Sequence, residues 1–283
     1  MTTLPDSAYG SQANVSARRE QRRQAPNPIM AIGRGFTWFA VLLCLAPMPL
    51  LIVVATTANW PLGFWAGGFT LAWLREGWAT VHPYALFSLR LALIVLAIDL
   101  AVGMPAAWLI ARHTFPGRPA LLALINAPLA VPGIAIALAL ILAYPLARAS
   151  GLLLIAGQVV YTLPFLVATL APALAQPALI EREAVARTLG ASAMQRLLYI
   201  TLPAIRSALL AALILVFTLS MGEFNVSFFL FTPLNKTLPI ELYSAYITNR
   251  VEVAAAITLI FLAFVVPAAI AIERLGGSKI GQA

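Results

Sequence analysis

The sequence is short of charge, of cysteine and of histidine, and each shortage excludes something. Only 10% of its 283 residues are Asp, Glu, Lys or Arg, whereas a soluble domain carries about 25%. With 61% hydrophobic residues and a mean hydropathy of +0.92, the chain reads as a membrane protein. The single cysteine, Cys44, excludes an intrachain disulfide and a thiolate metal site; inside its apolar run it reads as a small buried hydrophobe. The two histidines, His82 and His113, fall on opposite sides of the membrane in the topology derived below, so neither serves a nucleophile as base. There is no Walker A pattern, so the chain cannot itself hydrolyse ATP. An enzyme, a metal site and a cofactor held by this chain all lack residues to build them.

Long apolar runs are what the sequence does have. At about 20 residues per span the chain accommodates six transmembrane helices and no large extramembrane domain. The runs are 35–58, 85–112, 119–146, 150–175, 204–230 and 253–275, which predicts an all-α, polytopic fold. Residues 1–34, rich in Ser, Gln, Asn, Pro and Arg, predict a disordered basic tail, with 35–283 as the transmembrane domain. Between the first two runs, Trp60, Trp65, Trp73, Trp78 and Tyr84 suit a membrane–water interface.

The net charge of +8 reports orientation and does not call for a nucleic-acid partner. With the N-terminus cytoplasmic, the inner segments hold Arg18, Arg19, Arg22, Arg23, Arg34, Arg112, Arg118, Arg182, Arg187, Arg196, Arg206, Arg274 and Lys279, leaving Arg75, Arg90, Arg148, Lys236 and Arg250 outside. By the positive-inside rule both termini are then cytoplasmic.

The segment from Gln176 to Pro203, on the predicted cytoplasmic side, is too structured for a plain connection. Pro177 suits the first turn of a helix. Glu183 and Arg187 stand four apart in the favourable order. Gly190 suits the position that ends a helix in the left-handed conformation, and Ser192 with Gln195 forms a capping-box pattern for a second helix. Pro203 interrupts before the fifth span. Two short amphipathic helices with an elbow at Gly190 are expected, with Leu179, Val185, Ala186 and Leu189 offering a small apolar surface.

This segment resembles the EAA loop of permease subunits of binding-protein-dependent type I ABC importers, of MetI-like fold. That pattern is Glu-Ala-Ala, three residues, Gly, nine residues, Ile, any residue, Leu-Pro. Gly190, Ile200, Leu202 and Pro203 keep its spacing. One departure stands out: the glutamate position six before the glycine holds Ala184, and the glutamate appears at Glu183. The run Ala186-Arg-Thr-Leu-Gly190 looks like the polyamine-, ferric-iron- and phosphonate-type branch. Ala127–Gly133 matches the family's Pro/Gly-broken helix, Gly222-Glu-Phe224 a signature in its fifth span, and Phe87–Ala92 the start of its core, so the resemblance covers about 84–275.

The resemblance implies a multi-pass permease of a prokaryotic plasma (inner) membrane that pairs with a homologous or identical copy and forms the translocation pathway. It also implies a coupling helix at about 177–190 that docks on a dimer of ABC ATPase subunits, which bind the ATP and Mg. A periplasmic or lipid-anchored substrate-binding protein would deliver a small solute, such as a polyamine or phosphonate. The alternative, a stand-alone secondary transporter or channel, needs no such docking loop.

Ionisable groups inside spans cost a few kcal/mol and usually meet a partner or a wet cavity. Pathway candidates are Glu223, Asn225, Asp99, Asn126 and Pro132. For Glu223, beside Ser220 and Ser227, a gate group and a hydrogen bond locking the bundle both stand. Asp99 is expected to meet a Ser, Thr or Asn of a neighbouring span. Arg90 suits an outer interface. Asn126, Pro128, Pro132 and Gly133 either line a cavity through freed carbonyls or form a packing kink.

Overall fold

The computed structural model describes residues 28–248 and 250–276. Most of the expected tail, including Arg18–Arg23, lies outside the described residues, as does Lys279. The chain divides into two units, Met1–Leu50 and Leu51–Ala283.

In the first unit, helix α1 (Pro28–Leu45) starts at Pro28 rather than at Gly35. A proline tolerates the first helical turn because the missing N–H has no partner there anyway. Pro47 opens α2 (Pro47–Thr56), yet the Ala46 N–H still donates to the Leu42 carbonyl at 2.8 Å. The apolar path Ile32–Thr56 is therefore 25 residues long, enough for one span. Cys44 is exposed, not buried as expected; a helix that is apolar all round has no polar face to turn outward.

The second unit begins within α2 and continues into a tight excursion in which Thr57 pairs with Phe69 and the Trp73 indole donates to the Thr57 carbonyl at 2.9 Å. Helix α3 (Ala72–Arg112) then runs for 41 residues, about 60 Å, so the Trp73–Tyr84 stretch is helical and the second span far exceeds the expected 85–112. Helices α4 (Arg118–Ala130) and α5 (Gly133–Ala143) meet at 109° across Val131 and Pro132. Pro132 has no N–H to carry the helix across that point. Helix α6 (Leu152–Leu174) is a regular 23-residue span.

After α6 come α7 (Pro177–Thr188) and α8 (Ala193–Arg196), a π-helical turn Leu197–Thr201, and α9 (Leu202–Met221). Pro203 does not interrupt here. It sits in the first turn of α9, directly after the π-helical turn Leu197–Thr201, and the path Ala193–Met221 runs on for 29 residues. The fifth span was expected to reach Leu230, but α9 ends at Met221. The single turn α10 (Ser227–Leu230) and helix α11 (Leu238–Ile247) follow before α12 (Val251–Gly276).

Among the described residues, four helices are long and apolar enough to cross a membrane, five if the bent α4–α5 pair is one span, and α12 has a shorter apolar stretch, Val251–Pro267. The six expected runs are largely helical, two of them broken, and among the described residues those measures give four or five spans in place of six.

Among the apolar clusters that the elements close round, two flank the candidate residues. At the loop end, Ala107 and Ile110 of α3, Ile125 of α4, Leu170 and Leu174 of α6, Leu179 of α7 and Ile205 of α9 are buried together. At the opposite end, Leu91 and Val95 of α3, Ala137 of α5, Leu153 and Leu154 of α6 and Val226 and Leu230 around α10 do the same. Gly157 lets α10 approach α6: a Cβ there would come within 2.6 Å of Val226 Cγ1 and 2.7 Å of Leu230 Cδ1. Gly157→Val should therefore lower thermal stability in detergent by about 1–3 kcal/mol through overpacking. Gly35→Ala, with nothing within 4 Å of its new methyl, should leave the melting temperature in place.

Candidate functional site

The loop between α6 and α9 folds as its local signals dictate. Pro177 heads α7. At its end the Ala191 N–H donates to the Ala186 carbonyl (2.9 Å) and the Gly190 N–H to the Arg187 carbonyl (3.1 Å), with Gly190 at φ +86°. That is a Schellman ending, which needs a left-handed residue. Ser192 caps α8 by accepting from the Gln195 N–H, and the Gln195 side chain accepts from the Ser192 N–H at 2.7 Å. Elbow and second helix are thus held by backbone bonds that leave little freedom at residues 188–195.

The two faces of α7 differ. Leu179 and Glu183, one turn apart, point inward: Leu179 is buried in the loop-end core, and the Glu183 side chain is only 12% exposed. On the other face Val185 and Leu189 are 59% and 82% exposed, and Met194 beyond the elbow is 61% exposed. The apolar surface expected from Leu179, Val185, Ala186 and Leu189 is therefore split; only Val185 and Leu189 lie open. Arg187 is exposed and Ala184 half-buried.

Glu183 does not pair with Arg187. Its carboxylate takes both arms of the Arg112 guanidinium, at 3.1 and 3.2 Å, and also accepts from the Thr201 hydroxyl. Ile200 packs against the loop-end core and Leu202 is half-buried at the head of α9.

The pathway candidates separate in a similar way. Glu223 and Asp99 are buried, while Asn225, Asn126 and Pro132 are exposed. Glu223 stands beyond the end of α9 and spends its carboxylate on its own chain. Oε1 accepts from the Val226 N–H at 2.6 Å, and Oε2 accepts from the Ser227 N–H at 2.8 Å and from the Ser227 hydroxyl. From there a buried polar chain crosses the bundle. Gln158 of α6 donates to Ser227 at 3.0 Å and accepts from the Ser220 hydroxyl, and one turn on Thr162 donates to Asp99 of α3. The other Asp99 oxygen is buried without a partner.

The two broken spans meet. A Cβ on Gly133 would lie 3.1 Å from that of Asn225, so the α4–α5 break and the α9–α10 break share one place. Asn225 and Pro132 both belong to it. Asn126 sits two turns before it on α4.

Sequence reasoning missed Arg112, Thr201, Gln158 and Thr162. Gln158 carried a signal, as the sole amide in the run of α6. Arg112 and Thr201 carried none, because their partners are distant in sequence. Among the described residues no group of His, Cys, Asp or Glu could hold a metal ion.

A family model described as "binding-protein-dependent transport system inner membrane component" matches residues 100–278. The chain is 29% identical over 194 residues to a probable molybdenum ABC transporter permease protein of Haloferax volcanii, covering 63% of this chain and 70% of that one. It is 27% identical to the sulfate transport system permease protein of Salmonella typhimurium, over 74% of this chain and 76% of the relative. A 2-aminoethylphosphonate transport system permease protein of the same species, itself named as putative, is 25% identical over 83% and 90%. Among solved structures, a bacterial ABC transporter involved in import of the acidic polysaccharide alginate superposes with a TM-score of 0.57, at 18% identity, over 89% of this chain and 99% of that one; that likeness concerns the fold.

Glu223→Gln should strand a buried donor against the Val226 or Ser227 N–H. The expected loss is about 1–3 kcal/mol, read as a lower melting temperature in detergent; an unchanged melt would mean that the carboxylate does not hold the break.

Proposed function

Because the chain belongs to the family of binding-protein-dependent transport system inner membrane components, and is a membrane-spanning permease subunit of an ABC importer, we propose that residues 177–196 are the surface through which an ATPase subunit drives it. The family match sets aside the stand-alone secondary transporter. A transporter component of this kind is not an enzyme, and ATP with Mg belongs in this proposal to the partner ATPase.

The observation that carries the proposal is the open apolar row of Val185 and Leu189, continued by Met194, on a helix whose other face is fixed to the core. Exposed leucine beside a rigid elbow and outside the apolar runs is costly unless a partner covers it. The Schellman ending and the capping box supply the stiffness that a lever needs. Residues Ala184, Arg187 and Gly190 border that row; Ile200, Leu202 and Pro203 join it to α9. An ATPase is cytoplasmic, so this reading also requires the loop and both termini on the cytoplasmic side, in line with the positive-inside count.

The mechanism follows. Two permease chains, this one and an identical or homologous copy, enclose the pathway. ATP binding closes the ATPase pair, the loops move, and the broken spans at Pro132 and Asn225 rearrange to admit a solute released by a binding protein. Hydrolysis restores the first state. Pro132, Asn225 and Asn126 are the exposed groups proposed to line the path; Glu223 and Asp99 hold it from behind. Sulfate and 2-aminoethylphosphonate, named for two of the relatives, both carry a tetrahedral anionic group. That favours a phosphonate-like solute over a polyamine.

Leu189→Asp puts a charge into the proposed contact. Chains purified from native membranes should retain an ATPase subunit in the wild type and lose it by about tenfold or more in Leu189→Asp, a penalty of roughly 1.4 kcal/mol or greater, with the melting temperature unchanged. A wild-type chain that drives transport with no ATPase attached would refute the proposal.

A further inference from the structure

The family pattern has its glutamate at the position of Ala184, and this chain has it one residue earlier. One residue is about 100° of rotation round a helix. The shift takes the carboxylate off the side of α7 and turns it toward the bundle, into a cluster that joins three elements. Arg112 is the last residue of α3. Its guanidinium grips both oxygens of Glu183 at 3.1 and 3.2 Å and lies over the Trp108 ring, 5.0 Å from its centre. Thr201, fully buried in the π-helical turn that feeds α9, donates its hydroxyl to the same carboxylate. The side chains of Arg112 and Glu183 are only 8% and 12% exposed.

We propose that Arg112, Glu183 and Thr201 form an internal strut that locks the coupling helix α7 to the ends of α3 and α9 together, so that Glu183 transmits the movement of the ATPase without touching it. This rests on the coupling reading above. Three features carry it. Oε1 accepts from Arg112 and Thr201 and Oε2 from Arg112, and the side chain is only 12% exposed, so the carboxylate is turned to the inside of the bundle and away from an outside arginine. A buried, two-armed ion pair adds little net stability but fixes relative position. And a π-helical turn is a loosened stretch of helix ladder that would yield under load unless something outside the ladder braces it; the Thr201 hydroxyl supplies that brace.

The two arms of the strut lead to the two ends of the buried polar chain. Along α3, Asp99 lies 13 residues from Arg112, about 20 Å. Along α9, the helix runs to Ser220 and then to the break held by Glu223. A push on α7 that shifts α3 against α9 therefore shears Asp99–Thr162 against Ser220–Gln158, beside the Pro132 and Asn225 breaks. Glu183 and Arg112 are positioning residues in this scheme.

The test uses the complex of the full chain with its ATPase in lipid nanodiscs, with Asn225→Cys as reporter in a Cys44→Ser background. Two quantities are read: ATPase retained, and the change in labelling of the reporter by a membrane-impermeant maleimide when ATP and vanadate are added. Glu183→Gln should retain the ATPase as the wild type does while the ATP-dependent change in labelling falls about tenfold. The exchange of charges, Arg112→Glu with Glu183→Arg, should restore most of it. The strut is overturned if Glu183→Gln sheds the ATPase as Leu189→Asp does, since Glu183 is then a docking contact. It is equally overturned if labelling responds within about twofold of wild type. Should Glu183→Gln fail to fold, Thr201→Val removes one arm only and gives the same two readouts. A wild-type complex whose labelling ignores ATP would instead sink the coupling reading itself.

Discussion

No water reaches the interior of a membrane to satisfy a loose backbone group, and this chain breaks two of its apolar runs, at Val131–Pro132 and after Met221. Every other feature follows from how it meets that constraint. At the α9–α10 break the Glu223 carboxylate supplies the acceptors that the N–H groups of Val226 and Ser227 lost when the helix stopped. At the α4–α5 break Pro132 removes one donor outright, and Gly133 lets the two breaks approach. A charged side chain bound this way is costly to move, and so the break is fixed in place while the exposed residues around it, Asn225 and Pro132, stay open to change.

The buried polar chain extends the same logic. Ser220, Gln158, Ser227, Thr162 and one oxygen of Asp99 are joined by hydrogen bonds across α3, α6, α9 and α10. Apolar packing alone resists sliding poorly, because one hydrocarbon contact replaces another. A set of hydrogen bonds in hydrocarbon has few alternative partners and so favours discrete arrangements. That is the property a gate requires, and the long helix α3 links it to the loop end.

Much of the loop between α6 and α9 was legible in sequence because its signals are local. Proline at the head of α7, glycine at its end and the Ser192–Gln195 pair each act within a few residues, and the structure realises all three. The six apolar runs were legible as runs. What sequence could not convey were consequences of distant contact. Arg112 and Glu183 lie 71 positions apart, so the local i,i+4 partner Arg187 looked the better match. The end of α9 at Met221 was hidden by apolar residues that continue to Leu230; only Gly222-Glu223 marked the place. The bend of 109° at Val131 and Pro132 was foreshadowed as a break, but its angle is set by packing against α6 and α10. The start of α1 at Pro28 was missed because residues 28–34, which include Arg34, were read with the polar, Arg-rich tail.

The central claim is that the coupling loop and the adjoining end of α3 move as one body under load from the ATPase. The most direct measurement is the distance between spin labels at His113→Cys and Arg182→Cys, both exposed sites, in a Cys44→Ser chain assembled with its ATPase, with and without trapped ATP. The account predicts one narrow distance that is the same in both states, while labels placed across the Pro132 and Asn225 breaks change theirs. A His113–Arg182 distance that shifts or broadens when ATP binds would contradict it, because the loop would then be hinged to the bundle and not braced against it.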